Sequence, residues 1–248
     1  MFTNLKTTAL KKIKKLVLEE QFINLKKNVI ELNNSNELKK IFGWNKDFKL
    51  ERPDIFNFEG IEDVNERRIR DAESIATIVS NSDPKVILEI GTADGMGTVL
   101  ISSNAPKAKI YTVNILPEEI HEGKGGKYTT IALEREKIGI AYKERKIANI
   151  TQIYANTANW EPNFKNIDIA FIDGCHDTNF VINDTIKVIN KMDSGSFILW
   201  HDFNINLMHK YHWIYSVCLG IENLYKMGIL HGRIYTIKDS WVGIYQVK

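Results

Sequence analysis

Cysteine and long apolar segments are what this sequence most lacks. Its 248 residues include two cysteines, Cys175 and Cys218, and neither stands in a CxxC or Cys/His spacing. The sequence therefore indicates neither a disulfide framework nor a structural zinc site. No stretch approaches about 18 uninterrupted apolar residues, and the apolar residues near the N-terminus run straight into Glu19 and Glu20. We therefore expect no membrane insertion, no secretion signal and a cytoplasmic location.

An excess of charge of one sign is also missing. Lysine and arginine number 33, aspartate and glutamate number 31, and the formal net charge is +2. A chain so close to balance has no general basic field that would attract a polyanion. We therefore expect no nucleic-acid partner.

The first 60 residues predict an N-terminal extension. Apolar residues recur at roughly helical spacing among many lysines, at Leu10, Ile13, Val17, Phe22, Leu25, Val29 and Leu32. This pattern predicts two amphipathic helices followed by a loop. The basic face is either a solvated face of helices that cap or dimerise the domain, or a surface for an anionic membrane or a partner. Dimerisation would give a homo-oligomer through these helices.

Residues 61–248 predict one α/β domain. Five short apolar runs occur, at residues 86–90, 109–113, 150–154, 167–172 and 196–200. Helical patterns lie between most of them, for example at residues 131–143 and 180–192, and another precedes the first run at 64–80. This alternation predicts a parallel sheet with helices on both faces. A helical stretch at 207–227 is followed by two runs, 232–237 and 241–247, that predict an antiparallel hairpin and complete a seven-stranded mixed sheet.

The most informative stretch is the first run and the glycine-rich turn after it, Val-Ile-Leu-Glu-Ile-Gly-Thr-Ala-Asp-Gly-Met-Gly-Thr at residues 86–98. Gly91 and Gly95 leave out side chains where a ligand could approach the backbone, and the following helix offers free N–H groups. Glu89 precedes the first glycine. A buried carboxylate there would repel a pyrophosphate but could accept a hydrogen bond from a cationic ammonium. A tight structural turn without a ligand is the alternative.

The run from Glu89 to Gly95 resembles the first motif of class I methyltransferases. The similarity is to the O-methyltransferase branch, whose metal-assisted members act on sugars, macrolides, cephalosporin precursors and catechols. The resemblance covers about residues 65–248 and implies a Rossmann-like sheet. It also implies that S-adenosyl-L-methionine binds over the turn, at Glu89, Gly91, Thr92, Gly95 and Thr98.

Two asparagines end the next two predicted strands. Asn114 stands where this family usually has an acid that grips the ribose hydroxyls, and Asn156 where it commonly has an aspartate that contacts the adenine amino group. The resemblance implies that both bind the cofactor, although an amide bonds the ribose less strongly than a charged acceptor. Turn formation alone is the alternative for each asparagine.

Clusters of acids and histidines end the fourth and fifth predicted strands, at residues 173–177 and 200–202. The carboxyl ends of parallel strands meet at one edge of the sheet, where α/β enzymes bind ligands. We therefore expect Asp173, His176 and Asp202 to converge.

These clusters resemble the Phe-Ile-Asp-Gly-x-His and His-Asp motifs of the same branch. The resemblance implies that Asp173 and Asp202 bind a divalent cation such as Mg²⁺ and that His176 is the general base. His201 occupies a metal position where relatives can have an acid, which moves the choice of cation towards Mn²⁺ or another transition metal. A structural histidine bonded to Asp177 or to the backbone is the alternative for His176.

Three hypotheses for function follow from these motifs. The first is O-methylation of a hydroxyl on a small molecule, such as a sugar or another polyhydroxylated metabolite, with Mg²⁺ or another divalent cation assisting. The second is metal-independent methylation of a nitrogen or of a phosphorylated acceptor on the same fold. The third is a non-catalytic protein that binds the cofactor. The acceptor itself is not specified, because the fold does not fix the function.

Overall fold

The computed structural model describes residues 20–50, 62–129 and 132–248, in which strands and helices alternate. In chain order the elements are α1 (Ile23–Asn28), β1 (Val29–Leu32), α2 (Ser35–Phe42), α3 (Glu62–Asn81), β2 (Val86–Ile90), α4 (Met96–Asn104), β3 (Lys109–Asn114), α5 (Pro117–His121), α6 (Ile140–Glu144), β4 (Ile150–Tyr154), β5 (Ile169–Ile172), α7 (Thr178–Ile189), β6 (Phe197–Trp200), α8 (His212–Lys226), β7 (Ile234–Ile237) and β8 (Gly243–Gln246).

These strands form one Rossmann-like sheet in the order β1-β7-β8-β6-β5-β2-β3-β4. Strand β8 runs antiparallel to β6 and β7, and the other neighbouring strands run parallel. The five predicted parallel strands and the C-terminal hairpin are therefore confirmed. The chain runs from β2 outward through β3 and β4, and then returns to place β5 on the other side of β2. Such a reversal of direction opens a crevice at the carboxyl ends of the strands, where ligands of open α/β sheets bind.

Helices cover both faces of the sheet, as predicted. Successive residues of β2 point to opposite faces, and they belong to two different core clusters. Leu88 packs in one cluster with Val188 of α7 and Leu224 of α8. Ile87 packs in the other with Ile78 of α3. The sheet is thus buried on both sides, and its polar groups are concentrated at the strand ends.

Strand β1 corrects the prediction for the N-terminal extension. Val29 and Leu32 were predicted on an amphipathic helix, but residues 29–32 form an eighth strand that pairs with β7. The alternating pattern explains the difference, since Val29 packs on one core cluster and Leu32 on the other. The remainder of the predicted first helix, up to residue 19, and the predicted domain boundary after residue 60 lie outside the described residues.

Two predicted helices are shorter than the sequence pattern indicated. The stretch 131–143 was predicted as one helix, but α6 begins only at Ile140 because Gly139 adopts a left-handed conformation, with φ +70°, directly before it. The stretch 207–227 becomes helical at His212, since the Asn204 carboxamide accepts the N–H groups of Asn206 and Leu207 and holds a turn there. Within the described ranges, no helix has the length and apolar character needed to cross a membrane.

Candidate active site

A cavity of about 130 Å³ opens at the carboxyl ends of β2, β3, β4 and β5. Its lining residues are Ile90, Gly91, Ala93, Val113, Asn114, Ile115, Gly125, Thr129, Ala155, Asn156, Thr157, Asp173, Gly174, Cys175 and Phe180. Three residues predicted to bind the cofactor, Gly91, Asn114 and Asn156, are among them. The cavity therefore lies at the crevice that the strand order creates.

The two glycines of the turn after β2 are required by close backbone contacts. Gly91 has φ +102°, and a Cβ at this position would collide with the backbone carbonyl of Asp173. Gly95 has φ +89° and precedes α4, and a Cβ there would lie 2.9 Å from the Cα of Gly139. Glycine adopts such conformations without steric cost. Gly91 lines the cavity, whereas Gly95 faces Gly139 and Tyr142.

The predicted cofactor residues Glu89, Thr92 and Thr98 lie beneath the turn and do not line the cavity. Glu89 is only 1% exposed, and its Oε2 accepts hydrogen bonds from the hydroxyls of Thr98 and of Thr112, the latter at 2.5 Å. The Thr92 hydroxyl lies 2.7 Å from that of Thr112. Burial raises the pKa of Glu89 to about 8, although the two hydroxyl donors act in the opposite direction. These residues therefore form a buried polar support for the turn.

The two predicted asparagines line the cavity, and both also bind nearby backbone. The Asn114 Oδ1 accepts the N–H of Ala93 at 3.0 Å, and this bond holds Ala93 in its left-handed conformation. The Asn156 Oδ1 accepts the N–H of Ala158 at 3.0 Å, and its Nδ2 donates to the carbonyl of Lys124 at 3.2 Å. Each amide therefore orders a loop at the cavity wall.

Residues 123–129, which we call the glycine loop, are bound to the turn that follows β5. The Asp177 carboxylate accepts the N–H groups of Lys127 at 2.8 Å and Tyr128 at 3.0 Å. The carbonyl of Tyr128 in turn accepts the backbone N–H of His176 at 3.3 Å and lies 3.1 Å from its Nδ1. Gly125 and Thr129 of the loop line the cavity. The glycine loop thus contacts both the cavity and a predicted catalytic histidine.

Asp173, His176, His201 and Asp202 converge beside the cavity, and we call them the His–Asp centre. The His176 Nε2 lies 3.1 Å from the Asp202 Oδ2 and 3.5 Å from the Asp173 Oδ1. The His201 Nδ1 lies 3.0 Å from the Asp173 Oδ1 and 3.8 Å from the Asp202 Oδ2. The turns after β5 and β6 position these side chains, and Asp202 adopts a left-handed φ of +53°. The predicted convergence of Asp173, His176 and Asp202 is therefore present in the structure.

The carboxylates and imidazoles of the His–Asp centre stabilise each other's charged forms. Burial alone would raise the pKa of Asp173, but the His201 and His176 imidazoles hold it well below its usual range. Burial alone would lower the pKa of His201, but the carboxylates of Asp173 and Asp202 outweigh burial and place it well above the ordinary value. The pKa of His176 is raised for the same reason. The centre therefore favours positive charge between its two carboxylates.

The donor set of the centre suits a divalent cation that accepts both nitrogen and oxygen. One atom each of Asp173, His176 and His201 lie within 4.8 Å of one another. The His176 Nε2 and the His201 Nδ1 are buried and have no hydrogen-bond partner among the described residues. Mg²⁺ prefers oxygen ligands, whereas Mn²⁺, Zn²⁺ and similar ions accept imidazole. A transition-metal ion fits these residues better than Mg²⁺ does.

Asp71 of α3 also contacts the centre, and the motifs did not reveal it. Its Oδ2 lies 3.3 Å from the His201 Nε2, and the carboxylate is 5% exposed. The only signal in the sequence was its position four residues before Ile75, on the buried face of the predicted helix. A single acid at such a position does not by itself indicate a site.

Known proteins resemble this chain both in sequence and in fold. Residues 88–203 match a family model described as a methyltransferase domain. Among solved structures, the O-methyltransferase NovP is 12% identical and has a TM-score of 0.55, with 73% of this chain and 80% of that chain covered. The O-methyltransferase TomG from Streptomyces achromogenes, solved in complex with SAM, is 11% identical over 76% of this chain and 90% of its own, with a TM-score of 0.46.

The methyltransferase PaMTH1 from Podospora anserina, solved with bound SAH, is 18% identical over 83% of this chain and 91% of its own, with a TM-score of 0.44. No curated protein matches the sequence. At such identities the structural likeness shows the fold alone. Residues 88–203 therefore resemble a methyltransferase domain, and the fold is similar to that of class I methyltransferases of the O-methyltransferase branch.

Proposed function

We propose that the protein transfers the methyl group of S-adenosyl-L-methionine to a hydroxyl of a small molecule. The observation that carries this proposal is the double position of Asp173, which lines the cavity and also lies 3.0 Å from the His201 Nδ1. A methyl donor in the cavity and an acceptor at the His–Asp centre would therefore be neighbours. Holding two reactants next to each other removes much of the entropic barrier to their reaction.

Several residues of the cavity are suited to bind this cofactor. Gly91 lets the turn pack against the backbone of Asp173 and lines the cavity, where the methionine part would lie over the turn next to the first N–H groups of α4. Asn114 and Asn156 stand at the strand ends, where amide groups can bond the ribose hydroxyls and the adenine ring. A cavity of about 130 Å³ is smaller than the 300–1,000 Å³ usual for ligand sites. We therefore infer that the glycine loop moves outward when the cofactor enters.

The groups of the His–Asp centre are suited to activate a hydroxyl. The Tyr128 carbonyl faces the His176 Nδ1 at 3.1 Å, so the Nδ1 carries the proton and the Nε2 lone pair is free to accept another. The Asp202 carboxylate, 3.1 Å from that Nε2, stabilises the imidazolium that results. A divalent cation held by Asp173, His201 and Asp202 would lower the pKa of the acceptor hydroxyl. His176 would then remove its proton as the oxygen attacks the methyl group.

Filling the cavity tests the proposed cofactor site. Ala155 lines the cavity, is partly exposed and packs at the margin of the core, so the larger side chain of Ala155→Phe should fill the cavity and block the ligand. We expect wild-type protein to bind S-adenosylhomocysteine in isothermal titration calorimetry, and Ala155→Phe to bind it at least roughly 100-fold more weakly, the effect of losing about 2.7 kcal/mol. The matched control is Ala148→Phe, the same change at an exposed position away from the cavity, which should bind normally. Wild-type protein that binds no S-adenosylhomocysteine would refute the proposal.

A further inference from the structure

Asp71 lies behind His201, on the side opposite the His–Asp centre. The two nitrogens of the His201 ring face different groups, with Nε2 3.3 Å from the Asp71 Oδ2 and Nδ1 3.0 Å from the Asp173 Oδ1. A carboxylate can only accept a hydrogen bond. The contact with Asp71 therefore requires a proton on Nε2, so that in the neutral ring, the form that binds a metal ion, the lone pair is on Nδ1.

The Nδ1 lone pair faces acceptors only. The carboxylate oxygens of Asp173 and Asp202 lie 3.0 and 3.8 Å from it, and it has no hydrogen-bond partner among the residues that the structure describes. His176 is arranged in the same way, since the Tyr128 carbonyl faces its Nδ1 and its Nε2 faces the same carboxylates. Two lone pairs and two carboxylates directed at one space repel each other unless positive charge, from protons on the rings or from a metal ion, lies between them.

We propose that Asp71 is a positioning residue, which fixes the Nε2–H tautomer of His201 and so directs the Nδ1 lone pair at a divalent transition-metal ion in the His–Asp centre. The inference rests on the proposed function, because it assigns a cation to that centre. Carboxylates that bind the far nitrogen of a metal-binding histidine fix its ring orientation and raise its basicity in this way. Asp71 belongs to α3, far before the two motifs that supply the centre, and precedes His201 by 130 residues.

The two oxygens of Asp71 have separate partners, which makes a specific test possible. Its Oδ1 accepts the Ser240 hydroxyl at 2.9 Å and the Trp241 N–H at 2.6 Å, so it holds the turn between β7 and β8. Its Oδ2 faces His201. In Asp71→Asn the remaining oxygen can keep the contacts with the turn, while the amide nitrogen faces the His201 Nε2. The variant therefore changes the histidine tautomer and preserves the structural contacts.

The first measurement is the affinity of the protein for Mn²⁺, followed by electron paramagnetic resonance. We expect Asp71→Asn to bind Mn²⁺ roughly 10- to 100-fold more weakly than wild type, the usual effect of losing such a partner. The matched control is Asp168→Asn, since the Asp168 carboxylate also accepts backbone N–H groups but lies at the opposite edge of the sheet, next to Lys85 and Val86. The control should bind Mn²⁺ within about twofold of wild type. Equal affinity in wild type and Asp71→Asn, or no binding by wild type, would overturn the proposal.

The second measurement reads the tautomer directly and does not depend on the Asp71→Asn variant. Nitrogen NMR of wild-type protein labelled at its six histidines and loaded with Zn²⁺ should show the His201 Nε2 protonated and the Nδ1 bound to the metal, with the signal assigned through His201→Gln. A proton on Nδ1 would refute the role of Asp71 even if Asp71→Asn failed to fold. Titration with S-adenosylhomocysteine separates the two proposals. Wild-type protein that binds Zn²⁺ as expected but not S-adenosylhomocysteine would refute the proposed function and leave the role of Asp71 standing.

Discussion

Glu89 is a carboxyl group that the fold removes almost completely from water. It supports the turn beneath the cavity, and its pKa near 8 keeps it protonated at neutral pH, chiefly because of burial. A protonated carboxyl cannot attract the ammonium group of S-adenosyl-L-methionine as an ion would. In this structure Glu89 instead supports the shape of the turn at the proposed cofactor site.

The stability of the protein should therefore depend on pH through Glu89. Its pKa is higher in the folded protein, about 8, than its ordinary value of 4.5. Its contribution to stability is then fully present below pH 4.5 and is lost as the pH rises through 8. We expect the free energy of unfolding in urea to fall more between pH 5 and pH 9 for wild type than for Glu89→Gln. Glu144→Gln, at an exposed position, is the control, and its free energy of unfolding should change with pH as that of wild type does. Equal changes with pH in wild type and Glu89→Gln would contradict the raised pKa of Glu89.

Replacing His176 tests its proposed role as general base. His176→Ala should lower the rate of methyl transfer by roughly 10²- to 10⁴-fold, the range usual for the loss of a positioned base. The affinity for S-adenosylhomocysteine should stay within about twofold, since His176 does not line the cavity. His209→Ala, at an exposed histidine outside the centre, should be as active as wild type. Near-normal turnover of His176→Ala would leave His176 as a structural histidine bonded to the Tyr128 backbone.

At this scale the sequence predicted part of the site. Asp173, His176, His201 and Asp202 were predictable because each follows a buried strand, and the ends of parallel strands must meet. Asp71 was not, because its contact with His201 joins a helix to a strand end 130 residues later. Periodicity alone predicts that such a residue is buried, but it does not identify the partner.

The glycine loop is the element that joins the cavity to the His–Asp centre. Asp177 holds its backbone, Asn156 holds the carbonyl of Lys124, and the Tyr128 carbonyl contacts His176. Movement of the loop away from the cavity would therefore remove the acceptor that fixes the His176 tautomer. Under the proposed function, the loop must therefore return to this position over the bound cofactor before His176 can act as the base.

Removing the Asp177 carboxylate should loosen the glycine loop. Asp177→Ala leaves the N–H groups of Lys127 and Tyr128 without their acceptor, each of these hydrogen bonds being worth about 1.5–3 kcal/mol. We expect trypsin to cleave after Lys124 and Lys127, which are exposed, several-fold faster than in wild type. Mass spectrometry of the fragments would locate the cuts. Asp193→Ala, at another exposed loop, serves as the control, and an unchanged cleavage rate in Asp177→Ala would show that Asp177 does not hold the loop.

Elements with purely local signals were the easiest to predict. The five parallel strands are short apolar runs between helical patterns, and all five were found. The prediction failed where a pattern allowed two structures. Residues 131–143 have the spacing of a helix, but the left-handed Gly139 delays the helix until Ile140. Residues 29–32 fit a helical spacing as well as a strand, and only pairing with a distant strand decides between them.

On the scale of the whole molecule, the part of the N-terminal segment that the structure describes, residues 20–50, is built into the domain. Strand β1 extends the sheet beside β7. The buried Glu222 of α8 accepts the N–H groups of Asn24 and Leu25, at 3.3 and 2.9 Å, and so satisfies donors at the start of α1. These contacts are long-range in sequence, so the sequence alone did not reveal that the described part of the predicted extension shares the core of the domain.

The pairing of β1 with β7 also has a consequence for how the chain folds during synthesis. Val29 pairs with Ile234, which follows it by 205 residues. A ribosome adds roughly 5–20 residues per second, so the first strand waits about 10–40 s before its partner exists. The central strands β2–β5 can pair with one another well before that time. Docking of the N-terminal strand therefore comes late in folding and covers the edge of β7 that would otherwise be open to pairing with another chain.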